Sequence, residues 1–376
     1  MHYERALDLI FASYLKAKPL IAGKLDREVR DPSFLLSIAQ KHDLLPAPDK
    51  VLKVTGSKGK GTVARLCAHS LMAHRGKVAL LVSPEDITHL DRMSINGQII
   101  TEVEFLSCFE EVWGYIEQPQ SPHYLSPYGL FLLIALCWFK RADVDCLVIE
   151  TGRGVRFDEG GQLPAKVGVV TSVFLEHPTY LGPHLEDIRA DKMSLGETCD
   201  FLINGCDIAP VSTQYPAWYG KACAIAQTAL QAFCGQEIPV QEIPVASFGQ
   251  KENEVGQVMI YEGMIAKESA DVEFLKTLLA QYEGDVSFYL SLPDDKDVAG
   301  VCDLLQNLGA SFKHIIMTGE RGFLSYEKAR VQSVAYEGAY DDVVGLQQGL
   351  NLGTAKVIYF IGTQTFLRLV KQAFFS

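Results

Sequence analysis

The 376-residue sequence lacks several features that would assign it to a special class of protein. Its nine cysteines are scattered, mostly inside apolar runs, and no two form a C-x-x-C pair, so they predict reduced core residues of a cytosolic protein. A surplus of basic residues is missing too. Lys and Arg number 34 against 46 Asp and Glu, the formal net charge is −12, and no stripe of cations is present. Nucleic acid is therefore not an expected partner.

Long hydrophobic runs are also missing. The longest, Leu130 to Phe139, is about half of what a bilayer requires, so it predicts a buried helix and no membrane partner is expected. The first residues lack the basic start, apolar middle and small-residue cleavage site of a signal peptide. We therefore expect a soluble, cytoplasmic protein.

The composition that is present suits a globular protein with more than one core. Hydrophobic residues make up 48% and charged residues 21% of the chain. A chain of this length suggests about two or three domains. Gly, Pro and polar residues interrupt the periodicity around Gly235–Gln250. We predict a first domain of residues 1–238, which includes N-terminal helices, and a second of residues 249–376.

Apolar runs and helical periods alternate in both predicted domains. After N-terminal helices and a loop at residues 45–48, the first domain has expected strands at Val51–Thr55, Lys77–Val82, Cys146–Thr151, Lys166–Val173 and Phe201–Asn204. Its further helices are expected near residues 62–75, 102–117, 127–140, 184–196 and 221–234. In the second domain we expect strands at Val258–Tyr261, Val286–Leu290, His314–Met317, Val331–Ala335 and Lys356–Ile361, with helices at Val272–Tyr282 and Lys296–Leu308.

This alternation predicts an α/β fold. The first domain would be a doubly wound, mostly parallel sheet of the P-loop ATPase type, and the second a smaller, Rossmann-like α/β domain at the C-terminal end. In such sheets ligands bind at the carboxyl ends of the strands.

The strongest local signal is a glycine-rich stretch directly after the first predicted strand. It reads Gly56-Ser57-Lys58-Gly59-Lys60-Gly61-Thr62 and leads into a helical period. Glycines let the backbone turn its N–H groups toward phosphate oxygens, Lys60 would supply a cation, and the Thr62 hydroxyl would bind a magnesium ion. The spacing is one residue shorter than G-x-x-x-x-G-K-[ST]. We predict that this loop binds a nucleoside triphosphate; a plain surface turn is the alternative.

Polar side chains follow other predicted strands of the first domain. Ser83 and Glu150 come directly after apolar runs, and His177 follows shortly after a third. A serine oxygen, a carboxylate and an imidazole can together hold a divalent cation that bridges phosphate oxygens, so with Thr62 they form the predicted magnesium site. Taken singly, Glu150 could cap a helix, His177 could be a hydrogen-bonded structural histidine, and Lys192 could be a solvated helix lysine.

In their order along the chain, these motifs resemble the folylpolyglutamate synthase and dihydrofolate synthase branch of the Mur ligase superfamily. Residues 54–62 are similar to V-x-G-T-N-G-K-G-S, residues 83–84 and 92–100 to S-P-H-L…R-I-x-I-N-G-x-x-I, and residues 149–158 to E-x-G-x-G-G-R-x-D. Residues 176–192 are similar to D-H-x-x-x-L-G-x-T-L-x-x-I-A-x-E-K, residues 295–298 to D-K-D-V, and residues 360–363 to a terminal strand ending in G-[ST]. The resemblance covers nearly the whole chain.

The resemblance implies an ADP-forming acid–amino-acid ligase with two Mur-ligase-like domains. ATP and Mg²⁺ would be its cofactors, and its partners would be a small carboxylic acid, folate-like or other, and an amino acid, here glutamate. The acid would pass through an acyl phosphate that the amino group captures. By the same resemblance Lys60, Glu150, His177 and Lys192 are catalytic, Lys192 corresponds to a lysine that is carbamylated, and Lys296 joins the loop in binding ATP.

The sequence also departs from the family pattern. T-x-F-E and D-A-T-N read Ser126-Pro127-Tyr128-Gly129 and Asp158-Glu159-Gly160-Gly161, and Glu85 stands for the histidine after Ser83-Pro84. In the second domain, residues 262–266 replace D-G-A-H-N, and Gln250 replaces the P-G-R arginine. The alternative function is therefore a catalytically weak or inactive nucleotide-binding relative with a binding or regulatory role.

Overall fold

The computed structural model describes residues 1–117, 123–211, 217–243, 248–317, 325–331, 335–340 and 342–375, with only the backbone of residues 330, 331 and 335–340. The chain forms two compact units, Met1–Ile243 and Pro244–Ser376. Each unit is built on one sheet. The domain ranges inferred from the sequence stay a prediction.

The first unit consists of a seven-stranded sheet and ten helices among its described residues. Its strands are β1 (Val51–Thr55), β2 (Val78–Leu81), β3 (Met93–Ile95), β4 (Gln98–Ile99), β5 (Cys146–Glu150), β6 (Ala165–Val170) and β7 (Cys199–Asn204). Its helices are α1 (Tyr3–Ile21), α2 (Asp26–Val29), α3 (Pro32–Lys41), α4 (Lys60–Met72), α5 (Glu102–Trp113), α6 (Pro127–Ala142), α7 (Glu159–Gln162), α8 (Pro178–Leu181), α9 (Leu185–Met193) and α10 (Ala217–Cys234).

The strand order of this sheet is β4-β3-β2-β5-β1-β6-β7. From β2 to β7 every neighbouring pair is parallel, and β3 and β4 add an antiparallel edge. All residues of β1 and β5 are buried, which explains why these strands are nearly continuous apolar runs. The carboxyl ends of β2, β5, β1 and β6 therefore lie side by side at one edge of the sheet.

The second unit has a six-stranded sheet in the order β12-β11-β10-β13-β9-β8. Its strands are β8 (Phe248–Glu252), β9 (Val258–Glu262), β10 (Val286–Ser291), β11 (Ser311–Met317), β12 (Ala335–Tyr340) and β13 (Val357–Gly362). Its helices are α11 (Val272–Gln281), α12 (Val298–Asn307), α13 (Glu327–Val331), α14 (Val343–Gly349) and α15 (Gln364–Val370), with a π-helical turn at Lys371–Phe375. Only β8 pairs antiparallel.

Alternation along the central strands divides the core of this unit between the two faces of the sheet. Phe360 and Tyr289 pack into one cluster, together with helix α15. Their chain neighbours Tyr359 and Phe288 pack into the other, with helices α11 and α12. Both faces of β10 and β13 are thus covered, and the prediction of a mostly parallel α/β fold is confirmed.

The predicted strand Val331–Ala335 is wrong. Val331 is the last residue of α13, and the strand of this region begins at Ala335, while residues 332–334 lie outside the described part. The helix begins where it does because the Asp294 carboxylate accepts hydrogen bonds from the backbone N–H groups of Glu327, at 3.0 Å, and Lys328, at 2.8 Å. A cap from a distant residue carries no local signal.

The sequence did not predict β3, β4 or β8; β3 and β4 are only three and two residues long, and β4 and β8 lie at the edges of their sheets. Within the part of the chain that the structure describes, no helix has both the length and the apolar character to cross a bilayer.

A buried lysine lies in the middle of the first sheet. Lys53, in β1, is 0% exposed, and its Nζ is 2.8 Å from the Gly161 carbonyl oxygen and 2.7 Å from Thr198 Oγ1. Burial lowers the pKa of Lys53 to about 7, against the opposing influence of Cys199 and Asp158. Its bonds connect β1 to the end of α7 and to the segment that precedes β7.

This lysine makes stability depend on pH. Between its folded pKa of about 7 and its ordinary value of 10.5, the unfolded chain binds a proton that the folded chain lacks. The free energy of unfolding therefore rises with pH across this window, by up to about 1.4 kcal/mol per pH unit from this group. We expect Lys53→Met, which keeps a long unbranched side chain, to make that slope shallower in urea unfolding between about pH 7 and 9.5. Equal slopes would contradict the prediction.

Candidate active site

The glycine-rich stretch connects β1 to α4. Gly56 has φ 136°, and Gly59, at the N-cap of α4, has φ 85°; both values favour glycine. A Cβ atom on Gly56 would also overlap the Thr171 side chain, whereas one on Gly59 would meet nothing within 4 Å. The two glycines thus serve different purposes, since Gly56 allows a close approach to the neighbouring strand and Gly59 starts the helix.

Hydrogen bonds tie this loop to the residues that follow β6. The Ser57 N–H donates to the Ser172 carbonyl at 2.8 Å, and the Lys58 N–H donates to Ser172 Oγ at 3.0 Å. The Thr171 hydroxyl donates to the Lys58 carbonyl at 2.6 Å. These bonds fix the path of the loop, because its backbone groups are held by the adjacent strand end.

Lys60 begins α4 and turns back over the loop. Its ammonium group donates to the Gly56 carbonyl at 2.8 Å. Thr62 lies in the first turn of the same helix, whose positive dipole end and N–H groups favour an anion. Lys60 and the helix N-terminus together give this end of the sheet a local positive charge in a protein of net negative charge.

Glu150 ends β5, directly beside the loop strand, in register with Val54. Its side chain is 4% exposed, and its Oε2 accepts the Ser83 N–H at 2.9 Å. Burial raises the pKa of Glu150, while Lys60 and the Ser83 hydrogen bond oppose that rise. The structure therefore brings the predicted residues Lys60, Ser83 and Glu150 to one point.

Close packing of α4 on Glu150 depends on Gly61. A Cβ atom at residue 61 would lie 3.0 Å from Glu150 Oε2 and 3.1 Å from Arg65 Nη1. Arg65 is a site residue that sequence reasoning missed. It lies four residues after Gly61, so helical spacing alone could have placed it on the same face of α4.

The other two predicted catalytic residues meet at Glu176. His177 has φ 48°, and its Nε2 lies 3.6 Å from Glu176 Oε2. Lys192, on α9, is fully buried; its Nζ lies 3.2 Å from Glu176 Oε1 and donates to the Arg153 carbonyl. The Lys192 side-chain nitrogen thus lies between a carboxylate and a carbonyl oxygen, and its carbamylation stays a prediction.

Arg153, whose carbonyl accepts the bond from Lys192, forms an ion pair of its own with Asp26. The Arg153 guanidinium lies 3.7 Å from the Tyr180 ring centre and donates through Nε to Asp26 Oδ2 at 2.8 Å. Burial by itself raises the pKa of Asp26, but Arg153 and Arg30 outweigh it and hold the pKa below its usual range. Sequence reasoning missed Asp26, because nothing in its local pattern separates it from an ordinary residue of a helix start.

At the position where the family pattern has histidine, Glu85 forms an ion pair with Arg92. His89 Nδ1 lies 3.3 Å from the same carboxylate oxygen. Although burial alone raises the pKa of Glu85, Arg92 and His89 lower it overall. The substitution thus places a permanent negative charge, matched by Arg92, close to Ser83 in the sequence.

Among the described residues, no three His, Cys, Asp or Glu side chains are grouped to hold a metal ion. The predicted magnesium set of Thr62, Ser83, Glu150 and His177 contains only two such side chains, so it stays a prediction. Lys296 belongs to the second unit, where its Nζ lies 3.1 Å from Asp295 Oδ2. Its role in binding ATP stays a prediction as well.

The two loop glycines can be compared directly. Gly59→Ala should cost only the strain of a left-handed alanine, about 1–2 kcal/mol of unfolding free energy. Gly56→Ala should cost more, because strain is added to the overlap with Thr171. Urea unfolding of both variants measures the difference, and equal losses would show that Thr171 moves aside freely.

Comparison with known proteins supports the motif resemblance. No family model matches the chain. The dihydrofolate synthase/folylpolyglutamate synthase of Escherichia coli (strain K12) is 36% identical over 152 residues, which are 40% of this chain and 35% of that protein. The enzyme of the same name from Haemophilus influenzae is 30% identical over 195 residues, 51% of this chain and 42% of that protein. The matches thus span less than half of these relatives' length.

Solved structures show the same fold over nearly the whole chain. Bifunctional folylpolyglutamate synthase/dihydrofolate synthase from Yersinia pestis, complexed with AMPPNP and Mn ion, is 21% identical with a TM-score of 0.70, and the match covers 93% of this chain and 94% of that one. A structure of the bifunctional enzyme with Mn, AMPPNP and L-glutamate has a TM-score of 0.70 at 21% identity and coverages of 92% and 95%. E. coli FolC with DHPP and ADP has 0.68 at 21%, with 91% of each chain covered.

Proposed function

Because the chain is a divergent relative of the folylpolyglutamate synthase and dihydrofolate synthase family, we propose that it is an ATP-dependent, ADP-forming acid–amino-acid ligase. The observation that carries the proposal is the edge shared by β2, β5, β1 and β6. There the Ser83 backbone, the Glu150 carboxylate and the Lys60 ammonium group gather around a glycine-rich loop.

The donors at this edge suit a magnesium nucleotide. The Lys60 ammonium group and the N–H groups at the N-terminus of α4 would hold phosphate oxygens. A cation would take the Thr62 and Ser83 hydroxyls, the Glu150 carboxylate and the His177 imidazole, mostly the hard oxygen ligands that Mg²⁺ prefers. When bound, Mg²⁺ neutralises charge on the transferred phosphoryl group.

This chain's own residues would contribute position and charge. Lys60 lies close enough to Glu150 to favour its ionised form, which a metal ligand requires. The bonds from Thr171 and Ser172 hold the loop in place, so little backbone ordering remains to be done when a nucleotide binds. Lys192 and His177, both beside Glu176, would act at the acyl-transfer end of the site.

The proposed substrates come from the relatives. Their names specify dihydrofolate and folylpolyglutamate synthesis, and solved relatives hold L-glutamate or DHPP. We therefore propose a folate-like carboxylic acid as acceptor and glutamate as the incoming amine. A cytoplasmic location is part of the same proposal, and the nine free thiols are in line with a reducing compartment.

The proposal is tested by ADP and phosphate release from ATP, Mg²⁺, glutamate and a panel of pterin-bearing and other carboxylic acids. One acid should stimulate release, and Lys60→Ala should reduce it by about 100-fold or more, because a charge that stabilises the transferred group is lost. Lys276→Ala is the matched control, since this exposed lysine of α11 pairs with a neighbouring surface glutamate in the same helix. Equal rates for Lys60→Ala and wild type would place the chemistry elsewhere.

A second candidate is a nucleotide-binding protein without turnover. The observation in its favour concerns Glu262, which replaces the first residue of D-G-A-H-N. This side chain is 1% exposed and accepts the Tyr359 hydroxyl at 2.6 Å, so it is engaged inside the second sheet. If no acid stimulates ADP release while Mg-ATP still raises the melting temperature of the wild type, the second candidate replaces the first.

A further inference from the structure

Two glycines of the first unit each face a polar side chain of the opposite segment. Gly129 lies in the first turn of α6, and a Cβ atom there would lie 2.5 Å from Glu159 Cδ and 2.7 Å from its Oε1. Gly160 lies in α7, and a Cβ atom there would overlap the Tyr128 hydroxyl. Both glycines are helical, so it is the space and not the backbone that requires them.

The Tyr128 hydroxyl acts on the end of β5. It donates to the carbonyl oxygen of Glu150 at 2.7 Å. Burial raises the pKa of Tyr128 far above its usual value, so the hydroxyl keeps its proton and remains a donor. Since Glu150 ends the strand, this bond fixes the backbone from which its carboxylate reaches Ser83.

Glu159 acts on the start of α6. Its side chain is 3% exposed and accepts Arg30 Nη2 at 2.7 Å. The same nitrogen lies 3.2 Å from Ser126 Oγ, which in turn accepts the Gly129 N–H at 3.1 Å. Glu159 is thus connected through Arg30 and Ser126 to the first turn of the helix that carries Tyr128.

Arg30 stays charged in this setting. Burial by itself lowers the pKa of Arg30, but the carboxylates of Glu159, Asp158 and Asp26 outweigh it and raise the pKa. Asp158 also accepts the N–H groups of Gly160, at 3.1 Å, and Gly161, at 3.2 Å. The turn after β5 and the start of α6 are therefore joined by a guanidinium ion shared among carboxylates.

This arrangement gives the departures at these residues a common explanation. The pattern T-x-F-E with D-A-T-N has a carboxylate at residue 129 and a hydroxyl at residue 160. Here the carboxylate is at residue 159 and the hydroxyl at residue 128, and each points into the room left by a glycine. The hydroxyl has thus moved from residue 160 to the facing residue 128, and the carboxylate from residue 129 to the facing residue 159.

We propose that Tyr128 and Glu159 are positioning residues of the magnesium-nucleotide site. Tyr128 supplies the hydroxyl that the pattern has at residue 160, and Gly160 leaves room for it. Glu159 supplies the carboxylate that the pattern has at residue 129, and Gly129 leaves room for it. The inference rests on the proposed function, since it assigns Glu150 to that site. It follows that these departures preserve the support of Glu150, so they do not argue for an inactive relative.

The first experiment uses Tyr128→Phe and Tyr128→Phe/Gly160→Ser. Binding of a fluorescent ADP analogue is titrated with Mg²⁺. Losing one hydrogen bond to Glu150 should raise the half-saturating Mg²⁺ concentration by about 3- to 10-fold and leave binding without Mg²⁺ unchanged. The added serine, which starts beside the former Tyr128 oxygen, should reverse most of this shift. A purely structural role would lower stability without moving the Mg²⁺ dependence, and that result, or failure of the folded double variant to recover, would overturn the inference.

The second experiment exchanges the carboxylate. Glu159→Ala should shift the Mg²⁺ dependence in the same direction, and Glu159→Ala/Gly129→Glu should restore it after Leu35, whose Cδ1 lies 2.6 Å from a Cβ at residue 129, turns aside. Glu197→Ala is the matched control, because this exposed glutamate pairs with Arg156 on the surface. If Glu197→Ala shifts the half-saturating Mg²⁺ concentration as much as Glu159→Ala does, the shift comes from the loss of any negative charge and the inference fails.

Unfolding measurements separate this inference from the proposed function. In the wild type, the serine of Gly160→Ser would overlap the Tyr128 hydroxyl, which Tyr128→Phe lacks. Gly160→Ser should therefore lower the free energy of unfolding of the wild type much more than that of Tyr128→Phe. This coupling needs no nucleotide. If no acid supports ADP release, the ligase proposal fails while the coupling and the Mg²⁺ shifts still stand. If the coupling is absent, the exchange across the contact is wrong even when the protein is an active ligase.

Discussion

A carboxylate buried at the end of a central strand is the constraint on which the first unit depends. Glu150 ends a fully buried strand, and burial alone favours its protonated form. An unpaired charge in that place would cost several kcal/mol. The Lys60 ammonium group, the Ser83 N–H and the guanidinium of Arg65 oppose this effect of burial. Lys60 and Arg65 belong to α4 and Ser83 follows β2, so the order of β2, β5 and β1 and the start of α4 are all needed to hold these groups around one carboxylate.

The same principle is seen at Lys53 and at Arg30. Both are buried basic side chains, and both join segments far apart in the chain. Lys53 relies on neutral oxygens and has its pKa lowered, whereas Arg30 relies on carboxylates and has its pKa raised. The difference follows from the charged groups nearby, because Cys199 and Asp158 offset the burial of Lys53 only in part, while Glu159, Asp158 and Asp26 more than offset the burial of Arg30. Buried charge is thus distributed through this unit as a set of fixed connections between strands and loops.

The sequence allowed the central strands and the position of the glycine-rich loop to be predicted well, because their signals are local. Val51–Thr55 is the strand expected, and the glycines at 56 and 59 have the backbone angles that such a loop needs. What could not be predicted depends on distant partners. The bond from Tyr128 to Glu150, the capping of α13 by Asp294 and the bonds of Lys53 all join residues that have no pattern in common. In each case the local pattern was ordinary and tertiary structure decided the outcome.

Residues 128 and 160 face each other, as do residues 129 and 159, and this pairing limits the order in which substitutions at these positions can occur during evolution. Glutamates at both 129 and 159 would put two like charges and two side chains into room for one, whereas glycine and alanine there would leave only a void. If the two arrangements are connected by single substitutions, the route is therefore easier when the glutamate at one of the two positions is lost before the glutamate at the other position appears. Comparing two such sequences position by position counts four differences, although the hydroxyl and the carboxylate remain in the fold. A comparison of the two structures by the positions of their side-chain atoms would detect both groups, whereas a sequence alignment would not.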